Sequence, residues 1–295
     1  MPKSERTNKL IRGTCTHYTK TDFIGRGGYA DVFKCDVKVR AVVKPGLVIK
    51  VFRTQYQQKR PGEEKVPERR VYSQSQIREA MAMKRLKGHR NVMEMYHGFI
   101  CGDDAENAIL MEKMDGSIDG LKDLNHNTQK DILYQILLGL NHIHKRGYIH
   151  RDMKPENVLY KVKDGRYYVK ISDFGLARPV DDVMTPRMMT VNYRAPEAHE
   201  DHGKYTKAID IWGVAMIACE LYTSRRINIF IRQDQNLTQA LDDVDAYINR
   251  IFEQVGENCP EDLQLLLRSM LHKDPEKRPC IVDLFQSAWL KTRTV

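Results

Sequence analysis

Closely spaced cysteines are missing from this 295-residue chain. Its six, Cys15, Cys35, Cys101, Cys219, Cys259 and Cys280, lie far apart and form no C-x-x-C pair. That argues against both a zinc framework and a disulfide-stapled scaffold. A long apolar run is missing too. The longest, near Ile211–Tyr222, carries Glu220 and is shorter than the ~20 residues of a membrane-spanning helix. The opening MPKSERTNKLIRG is too polar for a secretory signal. There is no internal repeat and no low-complexity tract. These absences lead us to expect a globular protein of a reducing compartment, cytoplasm or nucleus, with no membrane role. Basic residues outnumber acidic ones by 48 to 39, but no basic stripe is interleaved with aromatics, so no nucleic-acid partner is expected. The densest basic cluster, KRPGEEKVPERR at 59–70, is interrupted by acids and reads as a solvated loop.

What is present is an ordinary globular balance, 41% hydrophobic and 29% charged, in a chain long enough for one large domain or two packed lobes. The first hundred or so residues read mainly as strands. In VVKPGLVIKVF, 42–52, Pro45-Gly46 predicts a hairpin or a turn before a strand. The exception is SQIREAMAMKRL, 75–86, a helix with apolar residues Ile77, Met81 and Leu86. From about 128 the pattern becomes helical. Thr128 is placed to cap, with Asp131 three residues on. Ile132, Leu133, Ile136, Leu137, Leu140 and Ile143 repeat at helical spacing, and Lys145, Arg146 and Gly147 suit a helix end. The change of pattern puts a boundary within LMEKMDGS, 110–117.

The stretch YIHRDMKPENVLY, 148–160, sets a concentrated mixture of charge beside an apolar run. Two β-rich runs then flank Asp164-Gly165, a strong hairpin signal. The hairpin brings Asn157 near Asp173, and two oxygen ligands so placed suit a hard cation such as Mg²⁺.

HRDMKPEN, 150–157, matches the kinase catalytic-loop pattern; four fixed residues would arise by chance about 0.002 times in such a chain. DFG follows at 173–175 and APE at 195–197. IGRGGYADV, 24–32, and VIK, ending at Lys50, precede it. In this order the motifs resemble a eukaryotic protein kinase over nearly the whole chain. The resemblance implies an α+β, two-lobed protein kinase fold filling 1–295 as one domain. It has a small, mainly β N-lobe at about 19–113 with one key helix, a larger, mainly α C-lobe at 114–290, and an N-terminal extension at 1–18.

The resemblance also implies roles. Ile24, Gly25, Gly27, Gly28 and Val32 would cover ATP, with Ala30 where a third glycine is usual. Met111 would back the adenine pocket, with Glu112 and Met114 at the hinge. Lys50 would hold phosphates and be oriented by Glu79. Asp152 would take the substrate hydroxyl proton and Lys154 would contact the γ-phosphate, which favours Ser/Thr substrates. Asn157 and Asp173 would bind Mg²⁺. His150 reads as structural, and His142 and His144 as the end of a helix. Asp210 would hold the catalytic-loop backbone, and Glu197 would pair with Arg278.

YRAPE at 193–197 and Ile77-Arg78-Glu79 are similar to the group of cyclin-dependent and mitogen-activated kinases, although Asn192 stands where that group has Trp. This implies a cyclin-like activating subunit on the Glu79 helix, an activating phosphate on Thr185, an inhibitory one on Tyr29, and Pro after the target residue. The alternatives are a kinase-like scaffold without catalysis and a nucleic-acid binder.

Overall fold

The computed structural model describes residues 8–10, 16–27, 30–39, 42–52, 74–99, 108–180, 191–199, 206–224, 226, 244–256 and 259–292. They fall into two compact units. One comprises the chain up to Gly88 together with Met93–Met114; the other comprises His89–Val92 and the chain from Asp115 onward.

The first unit is built on an antiparallel sheet of β1 (Asn8–Leu10), β2 (Thr16–Arg26), β3 (Ala30–Val39), β4 (Val42–Phe52), β5 (Met95–Phe99) and β6 (Ala108–Glu112). Its strand order is β1-β2-β3-β4-β6-β5. Strand periodicity sets the core: Cys35 and Val37, Ile49 and Val51, Ala108 and Leu110 each stand two apart and meet on one buried face. Pro45-Gly46 makes no hairpin. β4 runs through it, and the register passes from Val37↔Lys44 to Cys35↔Leu47. The extra residue bulges, and Gly46 at φ +80 takes a conformation that a Cβ disfavours. Proline is tolerated there because a bulge needs no ladder donor.

Helix α1 (Gln74–Leu86) follows the expected span with a different inner face. Gln76, Glu79, Ala82, Met83 and Leu86 are buried, whereas Ile77 is 37% and Met81 57% exposed. The apolar letters alone misplace the stripe because Glu79, a charged residue, lies on its buried side.

In the second unit, α2 (His126–Lys145) buries Ile132, Leu133, Ile136, Leu137, Leu140 and Ile143. The cap is Asn125, whose side chain accepts from Thr128 N at 2.9 Å, so Thr128 is the capped residue rather than the cap. Gly147 ends the helix at φ +74. β9 (Val158–Lys163) and β10 (Arg166–Ile171) pair from Lys163↔Arg166 to Val158↔Ile171. Asp164 and Gly165 both have positive φ, 51 and 71, as a two-residue primed turn requires. β7 (Gly116–Ser117) joins this hairpin beside β9, and β8 (Tyr148–Ile149) pairs with β11 (Arg178–Pro179).

Helix α3 (Ala208–Thr223) is buried from Ile209 through Leu221, the mark of a central core helix. Trp212 stacks on Tyr247 of α4 (Val244–Val255), centroids 5.9 Å apart. Further helices are α5 (Glu261–Met270), α6 (Ile281–Leu284) and α7 (Ala288–Lys291). No helix among the described residues is long and apolar enough to cross a membrane.

Two glycines permit contacts that position the site. A Cβ on Gly139 would meet the Asn91 carbonyl oxygen at 2.5 Å, and one on Gly213 would meet Met153 O and Cβ at 2.8 Å. Helix α3 therefore touches the 150–157 loop directly. Gly213→Ala is expected to cost about 1–3 kcal/mol through overpacking against backbone that has little room to yield. Chemical denaturation of the variant against the wild type measures it.

Candidate active site

The site in the second unit begins with a buried anion. Asp210, in the first turn of α3, is 1% exposed. Its Oδ1 accepts from Arg151 N, and its Oδ2 accepts from His150 N, each at 2.8 Å. His144 Nε2 lies 2.8 Å from Oδ2. Burial pushes the Asp210 carboxyl up. The hydrogen bond and charge of His144, helped by the hydrogen bond from the His150 amide, outweigh burial and hold it below its ordinary value. Arg151, at φ 71, is thereby fixed in a left-handed turn.

His150 packs edge-on to Phe174, centroids 5.2 Å apart. Its Nδ1 accepts from Asp152 N at 3.3 Å and its Nε2 lies 3.0 Å from the Ser172 carbonyl oxygen. A neutral ring protonated on Nε2 satisfies both bonds. This imidazole is committed to holding the loop, as its sequence context suggested.

The next turn gathers three predicted residues. Lys154 Nζ is 2.6 Å from Asp152 Oδ2. Asn157 Nδ2 donates to Asp152 O at 2.7 Å and Asp152 Oδ2 at 2.8 Å. With both amide hydrogens engaged, the group Asn157 can offer elsewhere is its carboxamide oxygen. The hairpin register carries the far strand back to the same place: Ser172 N and Oγ donate to Asn157 O at 2.8 and 2.9 Å. Asp173 follows, exposed, at φ 60. An exposed carboxylate and an oriented carboxamide oxygen form a hard-oxygen donor set that fits Mg²⁺.

In the first unit, β4 presents Lys50 to α1. Lys50 Nζ donates to Glu79 Oε1 at 2.7 Å and Oε2 at 2.9 Å. Gly25 pairs with Val32 and Arg26 with Asp31. Gly27 N donates to Ala30 O at 2.8 Å. Ile24 is exposed and Val32 half-buried. Met111 pairs with Val48, Glu112 pairs with Leu47, and Met114 is half-buried at the end of this unit. Gly28, Tyr29 and Thr185 lie outside the described residues.

The predicted Glu197–Arg278 pair is present and bidentate, at 2.6 and 2.8 Å, with the guanidinium 5.0 Å over the Trp212 ring. The sequence reading missed His144 as a partner of Asp210. It also missed Arg226, whose Nη2 lies 2.6 Å from Glu156 Oε1. No local spacing signals either contact; both join residues at least 66 positions apart.

The protein kinase domain family model matches residues 18–290. The chain belongs to the protein kinase family. Among curated proteins, this kinase chain is 34% identical over 204 residues to the stress-activated protein kinase JNK of Drosophila melanogaster, covering 66% of this chain and 50% of that protein. It is 27% identical over 313 residues to mitogen-activated protein kinase pmk-1 of Caenorhabditis elegans, covering 96% of this chain and 78% of that protein. It spans half or less of the length of the first two relatives. A chain in the structure of the CAK complex from Chaetomium thermophilum bound to ATP-gamma-S superposes with TM-score 0.71 at 24% identity, covering 93% of this chain and 91% of that one. The fold is that of a two-lobed protein kinase.

Two outcomes are expected. Lys50→Met removes the bidentate ammonium from the buried Glu79 carboxylate and costs about 3–5 kcal/mol, whereas adding Glu79→Gln recovers more than half of it; a double-mutant cycle in urea reads the coupling. The Asp210 contribution is present above the ordinary carboxylate range near pH 4 and is lost as pH falls below it, because the folded state holds the ionised form. Thermal melts from pH 6 to pH 3 should therefore lose less Tm in Asp210→Asn than in the wild type.

Proposed function

We propose that the chain is an ATP-dependent serine/threonine protein kinase, acting in the cytoplasm or nucleus, and that the residues singled out above carry the reaction. The observation that carries the reading is the hydrogen-bonded set Asp152–Lys154–Asn157 in a chain of this family. In the first unit, Ile24, Gly25, Gly27, Gly28 and Val32 cover the nucleotide. Met111, Glu112 and Met114 border its base, and Lys50, oriented by Glu79, holds its phosphates. In the second unit, Asp152 orients the substrate hydroxyl and accepts its proton, while Lys154 offsets charge on the phosphoryl group in transfer. Asn157 and Asp173 would hold Mg²⁺, which supplies positive charge against the phosphate oxygens. Little covalent work falls to the protein; positioning and charge dominate.

Regulation follows the same resemblance. Phosphate on Thr185 would pair with Arg151 and activate, and phosphate on Tyr29 would add negative charge facing ATP and inhibit. Exposed Ile77 and Met81, one helical turn apart on α1, offer an apolar surface for a cyclin-like subunit. By the same resemblance, Arg194 and Met189 would shape the site beside the phosphoacceptor, which favours substrates with Pro directly after it.

The test is transfer of labelled phosphate from Mg-ATP to Ser/Thr-Pro peptides and to a generic basic substrate. The expected result is turnover that falls about 10²–10⁴-fold in Asp152→Asn, with Thr185→Ala also impaired. Nucleotide binding without transfer, even with added candidate subunits, would instead make the chain a scaffold.

A further inference from the structure

The β9–β10 hairpin has two unlike faces. Val158, Tyr160, Val162, Tyr167, Val169 and Ile171 share one by register. Val158, Val169 and Ile171 are buried there, and Tyr160 meets Tyr167 with ring centroids 5.5 Å apart. The other face carries Leu159, Lys161, Lys163, Arg166, Tyr168 and Lys170. Four of these six are basic and none is acidic. Lys161, Lys163 and Arg166 are exposed, and Tyr168 is 47% exposed between them. None of those three bases is ion-paired with a carboxylate among the described residues. Asp164 forms the turn between the two strands, and Asp115 Oδ2 accepts from Val162 N at 2.8 Å.

Lys163 and Arg166 stand directly opposite each other. Like charges in that position cost stability. A fold that needed only a solvated hairpin would gain by placing an acid at either position. The pairing makes sense where something acidic covers it. We propose that this face docks an extended acidic protein segment with carboxylates at alternate positions.

The geometry narrows the partner to that class. The strip is two strands wide and six residue pairs long, about 5 Å by 20 Å, the footprint of one extended chain rather than of a bilayer or a nucleic-acid duplex. Lys161 and Lys163 are two residues apart on one strand, about 6.6 Å, the spacing of alternate side chains on an extended peptide. Addition of the segment as an extra strand on β10 is blocked. Gln135 Nε2 donates to Tyr167 O at 2.8 Å, and Val169 N donates to Gln135 Oε1 at 3.0 Å. Asn91 Nδ2 donates to Val169 O, and Ile171 N donates to Asn91 O, each at 2.9 Å. These four bonds close that edge, so the strip reads its partner through side chains, with Tyr168 as the apolar contact beside Lys161. This surface is independent of phosphoryl transfer and is tested without it.

The probe is a fluorescein-labelled peptide of alternating Glu and Thr, titrated with the full chain and followed by anisotropy. We expect saturable, salt-sensitive binding that weakens about 30-fold in Lys161→Glu/Lys163→Glu/Arg166→Glu, the sum of three exposed charge contacts. A peptide of equal composition with its Glu residues in one block should bind less tightly. Lys163→Glu alone should weaken binding and yet raise Tm by about 1–2 °C, since it turns a repulsive cross-strand pair into an attractive one. That opposite movement separates a docking surface from a merely structural one, and it holds even if the triple variant folds poorly. No binding by the wild type, binding unchanged by the substitutions, equal affinity for the blocked peptide, a lower Tm in Lys163→Glu, or tighter capture of single-stranded oligonucleotides or anionic vesicles would each overturn the proposal.

Discussion

The buried Asp210 carboxylate is the constraint on which the second unit's site depends. A carboxylate this far from water is costly unless its lone pairs are satisfied. Here two backbone amides and one imidazole satisfy them. The same bonds fix two consecutive residues of the 150–157 loop, and they do so from a helix buried from Ile209 through Leu221. Arg151 can hold a left-handed conformation because its N–H is engaged there. The turn that this sets then delivers Asp152, Lys154 and Asn157 into one hydrogen-bonded group. Gly213, one turn along the same helix, allows the close contact with Met153 that such anchoring requires. Core burial, loop geometry and placement of the polar residues are thus one arrangement.

The first unit solves a smaller problem with the same physics. Lys50 is fixed along its strand by register, and its ammonium is fixed by a carboxylate on a helix that buries that carboxylate. The helix accepts a charged residue on its inner face and leaves Ile77 and Met81 outside. One acid on an otherwise apolar inner face, and two apolar residues outside it, depart from the usual amphipathic pattern.

Much of this was legible in the sequence where the signal is local. The Asp164-Gly165 turn follows from residue chemistry over a few positions, as do the α2 stripe and the Gly147 helix end. The sequence-ordered motifs pointed to the kinase fold, which the family match and the structural likeness bear out. Signals that depend on competition or on distant partners were harder. Asn125 outcompeted Thr128 as the cap because a carboxamide three residues back reaches the Thr128 N–H. Pro45-Gly46 became a bulge rather than a hairpin because the flanking β-branched residues pair on both sides of it. The inner face of α1 was obscured by Glu79, whose carboxylate is paired with Lys50, 29 positions away. His144 looked like an ordinary helix end because its partner lies 66 residues further along the chain.

If the Asp210 anchor organises the site, the amides it holds must share the stability of the core. Native-state hydrogen exchange measures this directly. The account predicts that the His150 and Arg151 amides exchange as slowly as those in the middle of α3, and that they open with it under increasing denaturant as one unit. Fast exchange of those two amides while α3 stays protected would show that the loop opens independently, and would contradict the claim that a single buried carboxylate organises it.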